Sequence, residues 1–273
     1  MAAVGQAAQQ TAQGNSAPGW FVVFQQEVRD LWVGGRGPLL SFAFSILLSV
    51  IAYLVATNTA LNFLEQRESV SVTLQVAIGA GSLLALLAGA DAISGERERG
   101  TLESVLLTPV SRPQVGSGKM LAALSLWLAA FVIAVPYVWF LGRGVGVVAD
   151  ALASGFVIGT LLAVFLASLG IIVSLFAGSN RVSLSVSLFV LLALFAPTQL
   201  PASAEKGWAG ELLLRVNPIT AGEHYVGQIL VSSHPWSQDV SWLVSPIVAA
   251  VVFAVAVPLL SARFLRLRGG MPG

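Results

Sequence analysis

The side chains able to carry chemistry are few, and their spacing serves no familiar reaction. Cysteine is absent, which removes disulfides, thiolate metal sites and cysteine nucleophiles together. His224 and His234 stand ten residues apart, supply fewer ligands than a metal site needs, and read as surface histidines. The run GSGKM at 116–120 ends like a phosphate loop, but Pro113 stands where the first glycine of G-x-x-x-x-G-K-[ST] belongs, and Met120 where the hydroxyl belongs. It also opens an apolar segment with no strand before it. Neither H-E-x-x-H nor G-x-S-x-G occurs. The sequence offers no catalytic residue, no metal site and no cofactor site, which weighs against an enzyme.

What remains is charge. Within DAISGERERGTLESVLLTPVSR, residues 91–112, Asp91, Glu96, Arg97, Glu98, Arg99, Glu103 and Arg112 crowd together, although charged residues are 10% of the 273. The elements that hold this run come from the rest of the composition. With 56% hydrophobic residues and a mean hydropathy of +0.84, a soluble domain could not cover itself with polar surface. The chain is therefore a membrane protein. Its net charge of +1 gives no reason to expect nucleic acid as a partner.

Runs without Asp, Glu, Lys or Arg cover 37–64, 69–90, 120–142, 151–180, 182–204 and 240–262, each reaching the roughly 20 residues a helix needs to cross hydrocarbon. They predict an all-α polytopic protein with six spans, at about 38–57, 71–91, 120–141, 151–176, 183–200 and 241–262. No ionisable residue falls between these helix ends, unlike in proton-coupled carriers and ion pumps. If both termini are cytoplasmic, the inner segments hold ten Lys and Arg, Lys119 among them, against four outside; the positive-inside rule selects that orientation and puts 91–112 in the cytoplasm. Residues 1–17 have neither the charge nor the apolar core of a signal peptide and read as a disordered tail.

Before the first span, GWFVVFQQEVRDLWVGGRGP puts Trp20, Phe21, Phe24, Val28, Leu31 and Trp32 on one helical face and Gln25, Gln26, Arg29 and Asp30 on another. This predicts an amphipathic helix over 20–32 in the headgroup region, the alternative being an outward extension of the first span. Small residues step by four in the second span (Ala77, Gly81, Ala85, Gly89) and the fourth (Gly155, Gly159, Ala163, Ala167). Such stripes permit close helix packing, though an alanine-rich sequence also produces them by chance.

Within the charged run, Thr101 offers a helix cap with Glu103 in the first turn, and Pro109 stops the helix, so a short helix is expected over 101–107. Leu102, Val105 and Leu106 share a face, a greasy knob flanked by Glu96 to Arg99 and Glu103 that would dock another protein. A merely solvating loop would explain the arginines but not the matched glutamates.

GERERGTLESVLLTPVSR resembles the cytoplasmic loop of ABC-2 type transporter permeases, with Gly95, Glu96, Arg97, Glu98, Gly100, Thr101, Leu102, Glu103, Leu106, Leu107 and Pro109 all fitting. FQQEVRDLW is similar to that family's N-terminal interfacial helix through Glu27, Asp30 and Leu31, and LLLRVNPITAGEHYVGQIL to its outer segment through Asn217 and Pro218. The resemblance implies a type V exporter architecture: one transmembrane domain over 18–273, a coupling loop at 92–118 in which Gly95 to Glu103, Arg99 included, and Leu106 meet an ABC ATPase, and a re-entrant outer segment at 201–240. It further implies ATP and magnesium on the partner ATPase, a second permease copy or paralogue, export, and a prokaryotic plasma membrane. A non-transporting scaffold that anchors a cytoplasmic partner is the alternative.

Overall fold

Close approach of backbones decides the architecture. The structure is a computed structural model and describes residues 18–57, 63–199 and 207–265; the expected tail at 1–17 and part of the expected outer segment, residues 201–206, lie outside these. In chain order come α1 (Gly19–Val33), α2 (Arg36–Ala56), α3 (Phe63–Asp91), α4 (Ser94–Arg99), α5 (Leu102–Leu106), α6 (Arg112–Gly142), α7 (Val148–Phe176), α8 (Asn180–Phe195), α9 (Trp208–Val216), α10 (Pro218–Leu230) and α11 (Val244–Phe264). Six helical stretches are long and apolar enough to span a bilayer, in α2, α3, α6, α7, α8 and α11. No strand occurs among the described residues.

At the centre α3 and α7 run against each other. A Cβ on Gly89 would lie 2.4 Å from the Ala167 carbonyl oxygen, and one on Gly170 would lie 2.4 Å from that of Leu86. The small-residue stripes are therefore packing surfaces, which suits a bilayer, where burial against lipid gives helices little reason to associate. Trp127 of α6 wedges into the same seam, 1% exposed. A Cβ on Gly159 would come within 2.0 Å of its ring. Its Nε1 donates to Thr160 Oγ1 at 3.1 Å, a partner that the indole N–H needs in the absence of water.

The other spans surround this seam. In α3 and α7, 61% of the most apolar window is buried, against 11% in α2 and 17% in α8 and α11. Leu39, Phe42, Ile46 and Leu54 of α2, and Val251, Val255 and Leu259 of α11, stand exposed where lipid would cover them.

One boundary and the faces of one helix differ from the sequence expectation. α6 starts at Arg112 rather than near 120, because Gln114 Oε1 accepts from the Ser111 N–H (3.3 Å) and Pro113 suits a first turn. The expected loop 92–118 is thereby cut short, and Lys119 lies two turns inside a helix. α1 also has three faces where two were expected. Trp20, Phe21 and Val22 are exposed, Val23 is buried against Gly118 of α6, and Gln26, Arg29 and Asp30 line a polar cleft toward α4 and α5. Gly35, at φ 82°, turns the chain into α2.

Candidate functional site

Where α3 ends, the chain makes two short helices that gather the charged residues. α4 stops at Gly100, whose φ of 73° suits glycine. The Gly100 N–H donates to the Arg97 carbonyl (3.3 Å) and the Thr101 N–H to that of Glu96 (3.0 Å), which satisfies the last carbonyls of the helix. Thr101 then enters α5 in helical conformation, φ −91° and ψ −13°. It does not make the expected cap: its hydroxyl donates back to the Glu96 carbonyl at 3.4 Å.

The expected greasy knob is turned around as well. Leu102 is buried in a cluster with Val23, Ile93, Val115, Leu175 and Leu265, and Val105 and Leu106 pack against it. Five residues are too few to hold their own helix in water, so the apolar face of α5 serves to seat it. The surface left outward carries Glu103, Ser104, Leu107, Thr108 and Pro109. Leu107, 75% exposed, is the large apolar side chain among them.

Each charge of α4 is fastened to a different element. Lys119 Nζ donates to Glu96 Oε1 at 2.6 Å and to Glu27 Oε1 at 2.5 Å, joining α4, α6 and α1. The lysine side chain is 0% exposed. Arg97 donates to the carbonyls of Ala177 (2.5 Å) and Leu175 (3.3 Å), at the end of α7 where orphan carbonyls and the helix dipole favour a cation. Glu98 Oε2 accepts from the Asn180 N–H (3.1 Å) at the start of α8, where the dipole favours an anion. Arg99 lies 3.5 Å from Asp91, which also takes Arg36 at 2.8 Å and the Asn180 side-chain amide at 2.7 Å. Gly95 permits this crowding, since a Cβ there would lie 2.1 Å from Asp91 Oδ1. Ser174 Oγ accepts from the amides of Ile93 (3.1 Å) and Ser94 (2.8 Å), tying the start of α4 to α7.

One lysine between two carboxylates leaves the buried triad with a net negative charge. Burial pushes the Glu96 carboxyl above its usual range, Lys119 pulls it down, and Glu27 adds to the rise. The upward direction fits the geometry, because Glu96 Oε2 is buried without a hydrogen-bond partner.

At the opposite end of the bundle, Asn217 Oδ1 accepts from the Ile219 N–H (2.9 Å) to cap α10, and its Nδ2 donates to the Leu194 carbonyl (2.6 Å) of α8. Pro218 occupies the first turn. Sequence reasoning singled out the α4 charges from their own pattern, and named Asn217, Pro218 and Glu27 only through a family likeness. Lys119 was missed as a functional residue, having been counted as a loop charge. Its flanking glycines were the available signal: Cβ atoms there would meet Ser261 of α11 at 2.2 Å (Gly116) and Val23 of α1 at 2.7 Å (Gly118).

A family model described as ABC-2 family transporter protein matches residues 22–266. The chain belongs to that family. No curated protein matches it at a significant level. As an ABC-2 permease it is a membrane subunit of a kind typically without catalysis of its own, and membership implies an ABC ATPase as its partner.

Proposed function

We propose that this permease is driven through α4 and α5 by a separate cytoplasmic ATPase, which alone binds ATP and magnesium, and that it exports its cargo. The observation that carries this reading is the fastening of Glu96, Arg97, Glu98 and Arg99 to α1, α6, α7, α8 and the end of α3, with Glu103, Leu107 and Pro109 left outward. A force on that surface reaches several spans at once. α1 braces the segment through Glu27. Trp20, Phe24 and the exposed face around them sit at the headgroup level, Asp30 and Leu31 lie toward α4 and the bundle, and both termini stand on the ATPase side. The pathway forms between two permeases, identical or related, in a prokaryotic plasma membrane.

The test is co-expression and co-purification of the full permease with candidate ABC ATPases, with ATP turnover measured in nanodiscs. Leu107→Arg should weaken association by about tenfold or more, as expected for an apolar anchor at an interface centre, while the permease still inserts. Wild-type association and turnover in both Leu107→Arg and Glu103→Arg would overturn the assignment. Association without any effect of the permease on turnover would favour an anchoring scaffold.

A further inference from the structure

Two cavities meet at the end of the bundle opposite α4. The first, about 420 Å³, is lined by Glu68 and Gln75 of α3 and by Thr220, Glu223 and His224 of α10. The second, about 410 Å³, runs between α3 and α8 along Val76, Ala80, Leu83, Leu191 and Phe195. They share Val72, Gln75, Thr198 and Glu223, so one chamber has an acidic mouth and an apolar body. Either part alone falls within the roughly 300–1,000 Å³ usual for small-molecule sites.

The polar side chains there are unevenly matched. Neither Glu68 nor Glu223 has a hydrogen bond or ion pair among the described residues. Among the described residues no Lys or Arg lines either cavity. Arg67 is engaged with Ser233, and Arg215 with Glu211 at 3.0 Å and the Trp242 ring at 5.1 Å. His224 stacks on that indole at 3.9 Å, which makes the rim rigid. α7 and α8 bring no charged side chain to the lining. A carboxylate removed from water without a donor is costly. A ligand that restores a positive charge beside Glu223 returns that cost.

We infer that this chamber binds an amphipathic organic monocation, a protonated amine or quaternary ammonium, with its charge at Glu223 and its apolar part between α3 and α8. An anion would meet two carboxylates, with the His224 imidazole the basic group among the described residues of the lining. A sugar would find no partners along Val76, Leu83 and Phe195. No group of three His, Asp or Glu among the described residues gathers to hold a metal ion. This reading rests on the permease assignment only in making the ligand a candidate cargo.

α10 lies outside the six spans, and burial pushes the Glu223 carboxyl up to about 7. Glu223 should therefore be charged near pH 8 and neutral near pH 5.5. The experiment measures equilibrium binding of tritiated phenylbutyl-trimethylammonium to the full permease in nanodiscs without ATPase, with the neutral tert-butyl analogue as competitor. At about pH 8 the cation should bind saturably and outcompete the neutral analogue by about tenfold or more, and its affinity should fall by about tenfold at about pH 5.5. Glu223→Gln should remove most of that pH dependence, and Glu68→Gln should weaken binding less. Equal competition by the neutral analogue, unchanged affinity at the two pH values, or no saturable binding to the wild type would each overturn the inference, whether or not the variants fold. Because no ATPase is present, failure here leaves the co-purification test of coupling independent.

Discussion

At the α4 end of the bundle, Asp91, Glu96 and Glu98 each accept a bond from a named donor; at the α10 end, Glu68 and Glu223 have none among the described residues. These two sets of carboxylates are thus used in opposite ways. Where charges are mutually satisfied, they fix the relative placement of helices, and their removal should cost stability. Where Glu223 stands half-buried and unpaired beside a cavity, it costs stability in place, and its removal should cost ligand binding. Variants that move stability and binding separately would break this contrast or confirm it.

The largest expected effect is on the triad. Lys119→Met leaves Glu27 and Glu96 facing each other in a buried site and should cost about 3–5 kcal/mol, read as thermal unfolding of the detergent-solubilised permease. Neutralising all three, with Glu27→Gln and Glu96→Gln added, should recover most of that loss. A next effect comes from the seam: Gly159→Val drives a side chain into Trp127 and should cost about 1–3 kcal/mol, whereas Gly178→Ala, with open space around it, should stay within about 0.5 kcal/mol. Leu102→Ala should cost about 2 kcal/mol or more by opening the cluster under α5, while Leu107→Ala leaves unfolding unchanged and lowers ATPase association.

The smallest effect is at Glu223, whose folded value of about 7 lies above its unfolded value of 4.5. The fold favours the protonated form, so its contribution to stability is full below the unfolded value and is lost as pH rises through about 7. The melting temperature of the wild type should drop by a few degrees across that window. That of Glu223→Gln should drop less, the raised Glu96 carboxyl being retained.

The six spans were legible because a charge-free run long enough to cross hydrocarbon has few other uses. The seam was half-legible: Gly89 and Gly159 stand out at four-residue spacing, but spacing does not say which neighbour fills the gap. Thr101 and Leu102 were placed on the right helix with the wrong roles, because Gly100 in the left-handed region sets how α5 enters, and that is a property of the preceding helix. Lys119 was misread because window counting stops at the first charge, whereas a lysine with two carboxylate partners from distant segments can be buried despite the cost of desolvating it. Glu223 sits in an amphipathic stretch that reads as surface from sequence. Only the walls supplied by α3 and α8 make it the mouth of a chamber.

The short connection between α7 and α8 has a kinematic consequence. Arg97 holds the last turn of α7 and Glu98 the first amide of α8, while only Ala177, Gly178 and Ser179 separate the two helices. Two spans therefore share one fulcrum. A displacement of α4 must turn both in the same phase, whereas α2, held through the half-exposed Arg36 to Asp91 pair, is free to lag.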